Sequence, residues 1–282
     1  VTALLEVEGL DVWYGNAQAL RGVSLRVDAG ELVALLGPNG AGKTTTLRAI
    51  AALVPARAGR VVFDGSVVNG TPPHQLARRG LAFVPEERDL FPSLTVEENL
   101  RYGFWARRRR GPSGYRARLD QVYAWFPALA ALPERPASTL SGGEQQLLAV
   151  ARALMPSPRL LIVDELSLGL APLVVEQLFG ILRSVNAGGT AVLLVEQFVH
   201  LALANTSRAY LLAKGAVQVE KPSGELLGDA QLVASYLGDA AAAGMGAGAV
   251  LPTAPIPPPL PEPPPPRPLN AGARPRPRST PA

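Results

Sequence analysis

Apolar and polar positions alternate through LLEVEGLDVWY (residues 4–14) and VSLRV (23–27), a period of two that predicts strands with one buried face. After a turn at DAGE (28–31), the polar positions vanish in ELVALLG (31–37), and the N-terminal third reads as a mixed sheet ending in a glycine-rich loop. KTTTLRAIAALV (43–54) then has the length and spacing of a helix. RVVFDG (60–65) and LAFVP (81–85) read as short strands flanking a weak helix at PHQLARRG (73–80). Strands alternating with helices predict an α/β fold.

From TVEENLRYGFWARRRR (95–110) through YRARLDQVYAWFPAL (115–129) to EQQLLAVARALM (144–155) the pattern is helical. Breaks at GPSG and LPERPASTLSGG divide it into an insert of about two to four helices. The α/β pattern resumes with PRLLIVDE (158–165) as a strand, PLVVEQLFGILRSVN (172–186) as a helix, TAVLLVE (190–196) as a strand and FVHLALANT (198–206) as a helix. RAYLLAKGAVQVE (208–220) reads as a closing hairpin and DAQLVASYLG (229–238) as a terminal helix. Residues 240–282 turn Ala/Gly-rich and then into PIPPPLPEPPPPRP, which cannot bury enough apolar area to offset its ordering. They are expected to form a disordered tail of polyproline II character, either dispensable or a ligand for a proline-binding groove.

Composition narrows the function classes. With 48% apolar residues among 282, the chain can bury the core of one domain with a sub-domain. Its formal charge is +4, but the tail holds Arg267, Arg274, Arg276 and Arg278 against Glu262, leaving +1 for the body and no support for nucleic-acid binding. The absence of cysteine excludes disulfides, thiolate chemistry and cysteine-built metal sites, and two histidines make a histidine-rich metal site improbable. No apolar run approaches the ~18–20 residues of a membrane span, and the start does not read as a leader. A soluble cytosolic protein is expected, peripheral on the inner face of the cell membrane where a membrane partner holds it.

GPNGAGKT (37–44) has the phosphate-loop spacing, between an apolar strand and a helix. Gly37, Pro38, Asn39, Gly40, Ala41, Gly42, Lys43, Thr44 and Thr45 are expected to bind the nucleotide, the glycines letting main-chain N–H groups turn in to cradle phosphates. Lys43 can reach the β and γ oxygens and Thr44 can hold Mg²⁺. LLIVDE (160–165) ends a strand in two acids, which is how a buried sheet can deliver Asp164 to a metal ion and Glu165 to a water beside it. Alone, two such acids equally solvate a strand end.

In LSGGEQQ (140–146), Ser141, Gly142 and Gly143 open a helix whose positive end can face an anion, although alone they read as an ordinary cap. Placed shortly before LLIVDE, this stretch resembles the signature of ABC-type ATPases. With Tyr14, GPNGAGKT, LLIVDE and SLGLAP (167–172) it makes an ordered set along residues 3–238. The resemblance implies a P-loop NTPase of ABC type: an α/β nucleotide-binding domain over residues 1–239, with a mixed sheet, antiparallel N-terminal strands and a helical sub-domain at about 92–155. It implies ATP and Mg²⁺ as cofactors, with Ser141, Gly142 and Gly143 of one subunit facing the γ-phosphate held by a second. Tyr14 resembles the aromatic that stacks on adenine; otherwise it is a strand residue packing in the core.

FVPEERDLFPSLTVEENL (83–100) resembles, more narrowly, the ATPase subunits of branched-chain amino-acid importers, in which Pro-Glu replaces the glutamine most ABC ATPases carry at Glu86. The resemblance implies that Glu86 binds Mg²⁺ or the attacking water in a loop that relays nucleotide state to the membrane subunit. On its residues alone, it is an exposed loop acid. One histidine, His200, lies in LLVEQFVH (193–200), where most ABC ATPases carry Thr-His; aligning VEQF on that pattern puts Gln197 at the phosphate-contacting position. Gln197 can donate a hydrogen bond but cannot take a proton, so Glu165 is the base or water-orienting group and His200 is structural or solvated. Leu166, Glu87 and Phe198 depart from the usual proline, glycine and asparagine. Arg107 to Arg110 either meet lipid headgroups or solvate a turn.

The implied activity is that of an ATP-hydrolysing cytosolic subunit powering import of branched-chain or other hydrophobic amino acids. Lys43, Glu165 and Gln197 would be catalytic, and Thr44, Glu86 and Asp164 would hold Mg²⁺. The implied partners are membrane permease subunits, a second ATP-binding subunit, identical or not, and an extracytoplasmic solute-binding protein. Urea, short amides or another solute remain open as cargo. An ATP-gated clamp with little hydrolysis is the reading from another class, and FPSLTVEENL and the short insert without heptads favour the transporter over it.

Overall fold

The computed structural model describes residues 3–105, 112–167, 169–196 and 198–237. The N-terminal strands β1 (Ala3–Tyr14) and β2 (Ala17–Asp28) form an antiparallel hairpin, followed by β3 (Leu32–Leu36) and helix α1 (Lys43–Ile50). Next come β4 (Ala58–Phe63), β5 (Ser66–Val67), α2 (Pro73–Arg79) and β6 (Leu81–Val84). A helical stretch holds α3 (Val96–Trp105), α4 (Pro112–Trp125), α5 (Pro127–Ala130) and α6 (Gly142–Leu154), with a 3₁₀ turn at Ala137–Thr139. The chain closes with β7 (Leu160–Asp164), α7 (Pro172–Ala187), β8 (Ala191–Val195), α8 (Val199–Asn205), β9 (Arg208–Ala213), β10 (Ala216–Pro222), α9 (Ser223–Leu227) and α10 (Ala230–Leu237). Among the described residues no helix is long and apolar enough to cross a membrane.

Two sheets result: an antiparallel one ordered β2-β1-β4-β5, and a six-stranded one ordered β10-β9-β3-β8-β7-β6 in which β10 alone runs antiparallel. The expectation of one mixed sheet through the N-terminal third is therefore corrected. β1 and β2 belong to the antiparallel sheet, β3 to the mixed one, and RVVFDG pairs with β1 as β4 rather than joining the α/β alternation. The reason lies in the burial pattern. β1 and β2 keep exposed positions among buried ones, whereas every residue of β3 is buried and needs cover on both faces.

That cover comes from two sides. In β7, Leu161 and Val163 pack with the core of α3–α7, while Leu160 and Ile162 pack with α1 and the antiparallel sheet. β8 divides the same way, Val192 and Leu194 against Leu193 and Val195. Each such side chain, fully buried, contributes about 1.5–3 kcal/mol. A third cluster joins Ala34, Leu36 and Leu211 to α8–α10.

GPSG, expected as a break, falls between two separate helices, α3 and α4; Pro112 to Gly114 lie in the first turn of α4, and 106–111 lie outside the described residues. Proline is preset for a first helical turn, so it can begin a helix as readily as interrupt one. Within the described residues a further interruption falls at Phe126, φ −122°, which precedes Pro127 and is pushed out of the helical region by it. Arg107 to Arg110 and the tail from 240 lie outside the described residues.

Candidate functional site

The parallel strands bring the ends of β3, β7 and β8 to one edge, the edge where open α/β sheets hold ligands. A broad surface depression lined by Asp28, Glu31, Arg183, Asn186 and Ser207 lies at the opposite strand ends, away from the phosphate loop and the acidic pair.

After β3, residues 37–44 turn sharply into α1. A Cβ on Gly37 would run into the Leu212 carbonyl oxygen. Gly42, at φ 107°, caps α1 with Leu20 Cδ2 2.7 Å from where its Cβ would sit, so glycine is required at both positions. The Ala41 carbonyl accepts from Gly215 N–H at 2.9 Å, and the Gly215 carbonyl accepts from Arg21 N–H at 2.7 Å, fixing the loop between the β9–β10 turn and β2. Tyr14, paired with Ala17 at the hairpin end, is 49% exposed and does not fill the core.

Lys43 is 5% exposed, and its ammonium donates to the carbonyls of Gly37 at 2.8 Å and Pro38 at 3.1 Å, leaving one of its three hydrogens for an anion. Burial lowers its pKa, and the charges of Glu165 and Asp164 pull it back up. Asp164 is 1% exposed and neither carboxylate oxygen has a hydrogen-bond partner of good geometry. Burial pushes its carboxyl up to about 6 against the opposing effect of the adjacent Thr44 hydroxyl, with Glu165 and Glu86 adding repulsion and Arg48 attraction. Two buried acceptors beside a hydroxyl fit a hard cation. Among the described residues no three acids or imidazoles close into a metal cage.

Glu165 turns off β7 at φ 48° and donates its main-chain N–H to the Val195 carbonyl at 3.1 Å. Leu166, in place of the usual proline, is fully buried. Glu86 is exposed on the loop after β6, within electrostatic range of Asp164. Glu87, in place of glycine, pairs with Arg48 of α1 at 3.1 Å. The loop downstream is braced by Asn99, fully buried, which accepts from Phe91 N–H and donates to the Phe91, Leu94 and Thr95 carbonyls. Thr95 and Glu98 form a capping box at the start of α3. These contacts give FPSLTVEENL a local physical reason.

Ser141 caps α6, accepting from Glu144 N–H at 3.3 Å while Glu144 Oε2 accepts from Ser141 N–H at 2.7 Å. Those bonds, the main-chain one first, hold the Glu144 carboxyl below its ordinary range. The N–H groups of Gly142 and Gly143 have no partner inside the helix, as at any helix start. Lys43, Thr44, Asp164, Glu165 and Glu86 thus converge, whereas Ser141, Gly142 and Gly143 stand on another element. Gln197 lies outside the described residues, as does Leu168 of SLGLAP. Phe198 beside Gln197 is 58% exposed, and His200 is half-buried within α8.

Sequence reasoning missed Glu196, 1% exposed, which accepts from the Ser167 hydroxyl at 2.5 Å and ties the turn after Glu165 to the end of β8. An acid directly after an apolar strand, LLVE as in LLIVDE, was the available signal.

Residues 20–167 match the ABC transporter family (ABC_tran). The high-affinity branched-chain amino acid transport ATP-binding protein BraG of Pseudomonas aeruginosa is 40% identical over 235 residues, 83% of this chain and 100% of BraG. The lipopolysaccharide export system ATP-binding protein LptB of Haemophilus influenzae is 32% identical over 237 residues, 84% of this chain and 98% of LptB. Among solved structures, an ATP-binding subunit of an ABC transporter superposes with a TM-score of 0.73 at 30% identity, covering 81% of this chain and 93% of that one. A dimeric bacterial ABC transporter cassette superposes with a TM-score of 0.71 at 27% identity, covering 78% and 98%. The chain belongs to the ABC transporter family, as one of its ATP-binding subunits, an ATPase that powers transport.

Proposed function

We propose that two such subunits close on two ATP molecules, each held by the phosphate loop of one and the Ser141, Gly142 and Gly143 N-terminus of the other. The observation that carries the site is the meeting of Lys43, Thr44, Asp164 and Glu165 at one strand edge, with both Asp164 oxygens buried and without a well-formed hydrogen bond. Thr44, Asp164 and Glu86 would hold Mg²⁺. When bound, Mg²⁺ neutralises charge on the transferring phosphoryl group.

The chain's own residues do the remaining work. Main-chain N–H groups of residues 39–45 and the Lys43 ammonium cradle the phosphates, and Tyr14 stacks on adenine. Glu165, turned off its strand, accepts from the attacking water and holds it in line with the γ-phosphate. Gln197 donates an amide hydrogen bond to the same phosphate. Residues 1–239 make up the ATPase unit, with the helical sub-domain at about 92–155, and 240–282 are an appended tail.

As cargo we propose branched-chain or other hydrophobic amino acids, supported by 40% identity to BraG along its whole length. The 32% identity to LptB supports only the coarser reading. Permease subunits would hold the chain at the cytoplasmic membrane face, and a solute-binding protein would deliver cargo. The test is ATP turnover by this chain co-purified with its permeases, with binding protein loaded with leucine, isoleucine, valine or urea. Stimulation by one of the three amino acids supports the cargo. Stimulation by urea alone, or by none of them, removes it.

A further inference from the structure

The loop carrying Glu86 is fastened on two sides. Toward α1, Glu87 pairs with Arg48. Toward α6, Arg88 Nε donates to Gln146 Oε1 at 2.9 Å and its Nη1 to Gln145 Oε1 at 3.1 Å. The same guanidinium comes within 3.7 Å of where a Cβ on Gly142 would stand. Further along α6, Arg152 donates to the Asp89 carbonyl at 2.7 Å and the Arg88 carbonyl at 3.1 Å.

Arg88 and Asp89 both sit in the left-handed region, at φ 66° and 49°. That region is unfavourable for a side-chain-bearing residue, and such geometry persists only where the surroundings impose it. The imposing contacts here come from α6. Gln145 passes the connection on, donating from Nε2 to the Ala137 carbonyl at 3.3 Å and the Leu140 carbonyl at 3.2 Å, in the segment that enters Ser141. One amide therefore joins Arg88 to the start of the signature helix.

We propose that Arg88 is a positioning residue that fixes Ser141, Gly142 and Gly143 relative to Glu86 by holding the Gln145 and Gln146 amides. It acts on turnover through that helix, touching neither phosphate nor metal ion. The inference rests on the reading that the signature residues complete the ATP site of a second chain. Arginine is required because its rigid fork presents two N–H groups to two separate acceptors, which an ammonium on a flexible stem does not reproduce.

The experiment compares the full chain with Arg88→Ala, Arg88→Lys, Gln145→Ala and the Arg88→Ala/Gln145→Ala double variant, and with Ser141→Asp. ATP affinity, steady-state ATPase and melting temperature are measured on each. For Arg88→Ala, ATP affinity should stay within about twofold of wild type while kcat falls about tenfold or more, the scale of a small displacement remote from the chemistry. Arg88→Lys should recover little of kcat, and the double variant should be no worse than the poorer single one, because both break the same connection.

Unchanged turnover in Arg88→Ala, or additive effects in the double variant, would overturn the inference. So would a loss of kcat matched by an equal loss of ATP affinity and a lowered melting temperature, since that is what a general folding defect produces. Should the alanine variant not fold, Arg88→Lys decides alone: wild-type kcat overturns the inference, and reduced kcat with retained ATP affinity supports it. If Ser141→Asp turns over normally, the signature reading itself has failed and the inference falls with it. A loss in Ser141→Asp without one in Arg88→Ala rejects Arg88 alone.

Discussion

Glu165 donates its main-chain N–H to the carbonyl of Val195 at 3.1 Å while its own backbone stands at φ 48°, so the acid after β7 is turned off its strand and fastened to the neighbouring one. Ser167 repeats the fastening through its hydroxyl to Glu196. The strained residue is thereby held from both sides, which is the condition under which such backbone geometry survives at a reacting centre.

Glu165→Gln keeps the shape, the main-chain bond and the φ angle but removes the charge that accepts a proton. Turnover should fall about 10²–10⁴-fold, the scale of losing a general base, with ATP affinity retained. Single-turnover hydrolysis beside equilibrium nucleotide binding measures both. A variant that still turns over would take Glu165 out of the role.

The Ser167–Glu196 bond is buried on both sides. Ser167→Ala withdraws a donor from a buried carboxylate and should cost about 1–3 kcal/mol in urea unfolding. Glu196→Gln keeps an acceptor for the hydroxyl and should cost less than Ser167→Ala. The reverse order would mean that the charge, rather than the hydrogen bond, is what this turn relies on.

The parts of the site legible in the sequence are those whose chemistry is local. A phosphate loop needs glycine where Gly42 meets Leu20, and the Ser141–Glu144 capping box is written three residues apart. What was illegible depends on residues remote in the chain. Leu5 pairs with Phe63, a partner that the alternation within either strand does not specify. The contacts of Arg88 with α6, and of Ser167 with Glu196, likewise come from the folded chain.

Asp164 gives the nucleotide-free protein a pH signature. Burial raises its carboxyl from the ordinary 3.8 to about 6, so between those values the folded chain binds a proton more readily than the unfolded one. Stability from this group therefore falls as pH rises from about 4 to about 6 and is level above that window. Asp164→Asn removes the penalty and should be more stable than wild type above about pH 6, by at most about 3 kcal/mol. The gap should close as pH approaches 4, as read from melting temperatures in chelator-containing buffer without nucleotide. A gap independent of pH would mean that the aspartate is not the group responsible.

Ser141→Asp separates capping from anion recognition. Aspartate caps helices as well as serine does, so α6 and the fold should be kept, and the melting temperature should stay within a few degrees of wild type. The substitution nonetheless places a carboxylate at the helix end proposed to face a γ-phosphate, where like charges in a dehydrated interface repel. Binding of ATP to the single chain should be unchanged, because the phosphate loop lies on a different element. ATP-dependent pairing of two chains should be lost, and turnover should fall about tenfold or more with it. Analytical ultracentrifugation with ATP in the Glu165→Gln background, beside steady-state turnover, reads both effects. If pairing survives the added charge, the helix end does not face a phosphate, and Ser141 is a cap and nothing more.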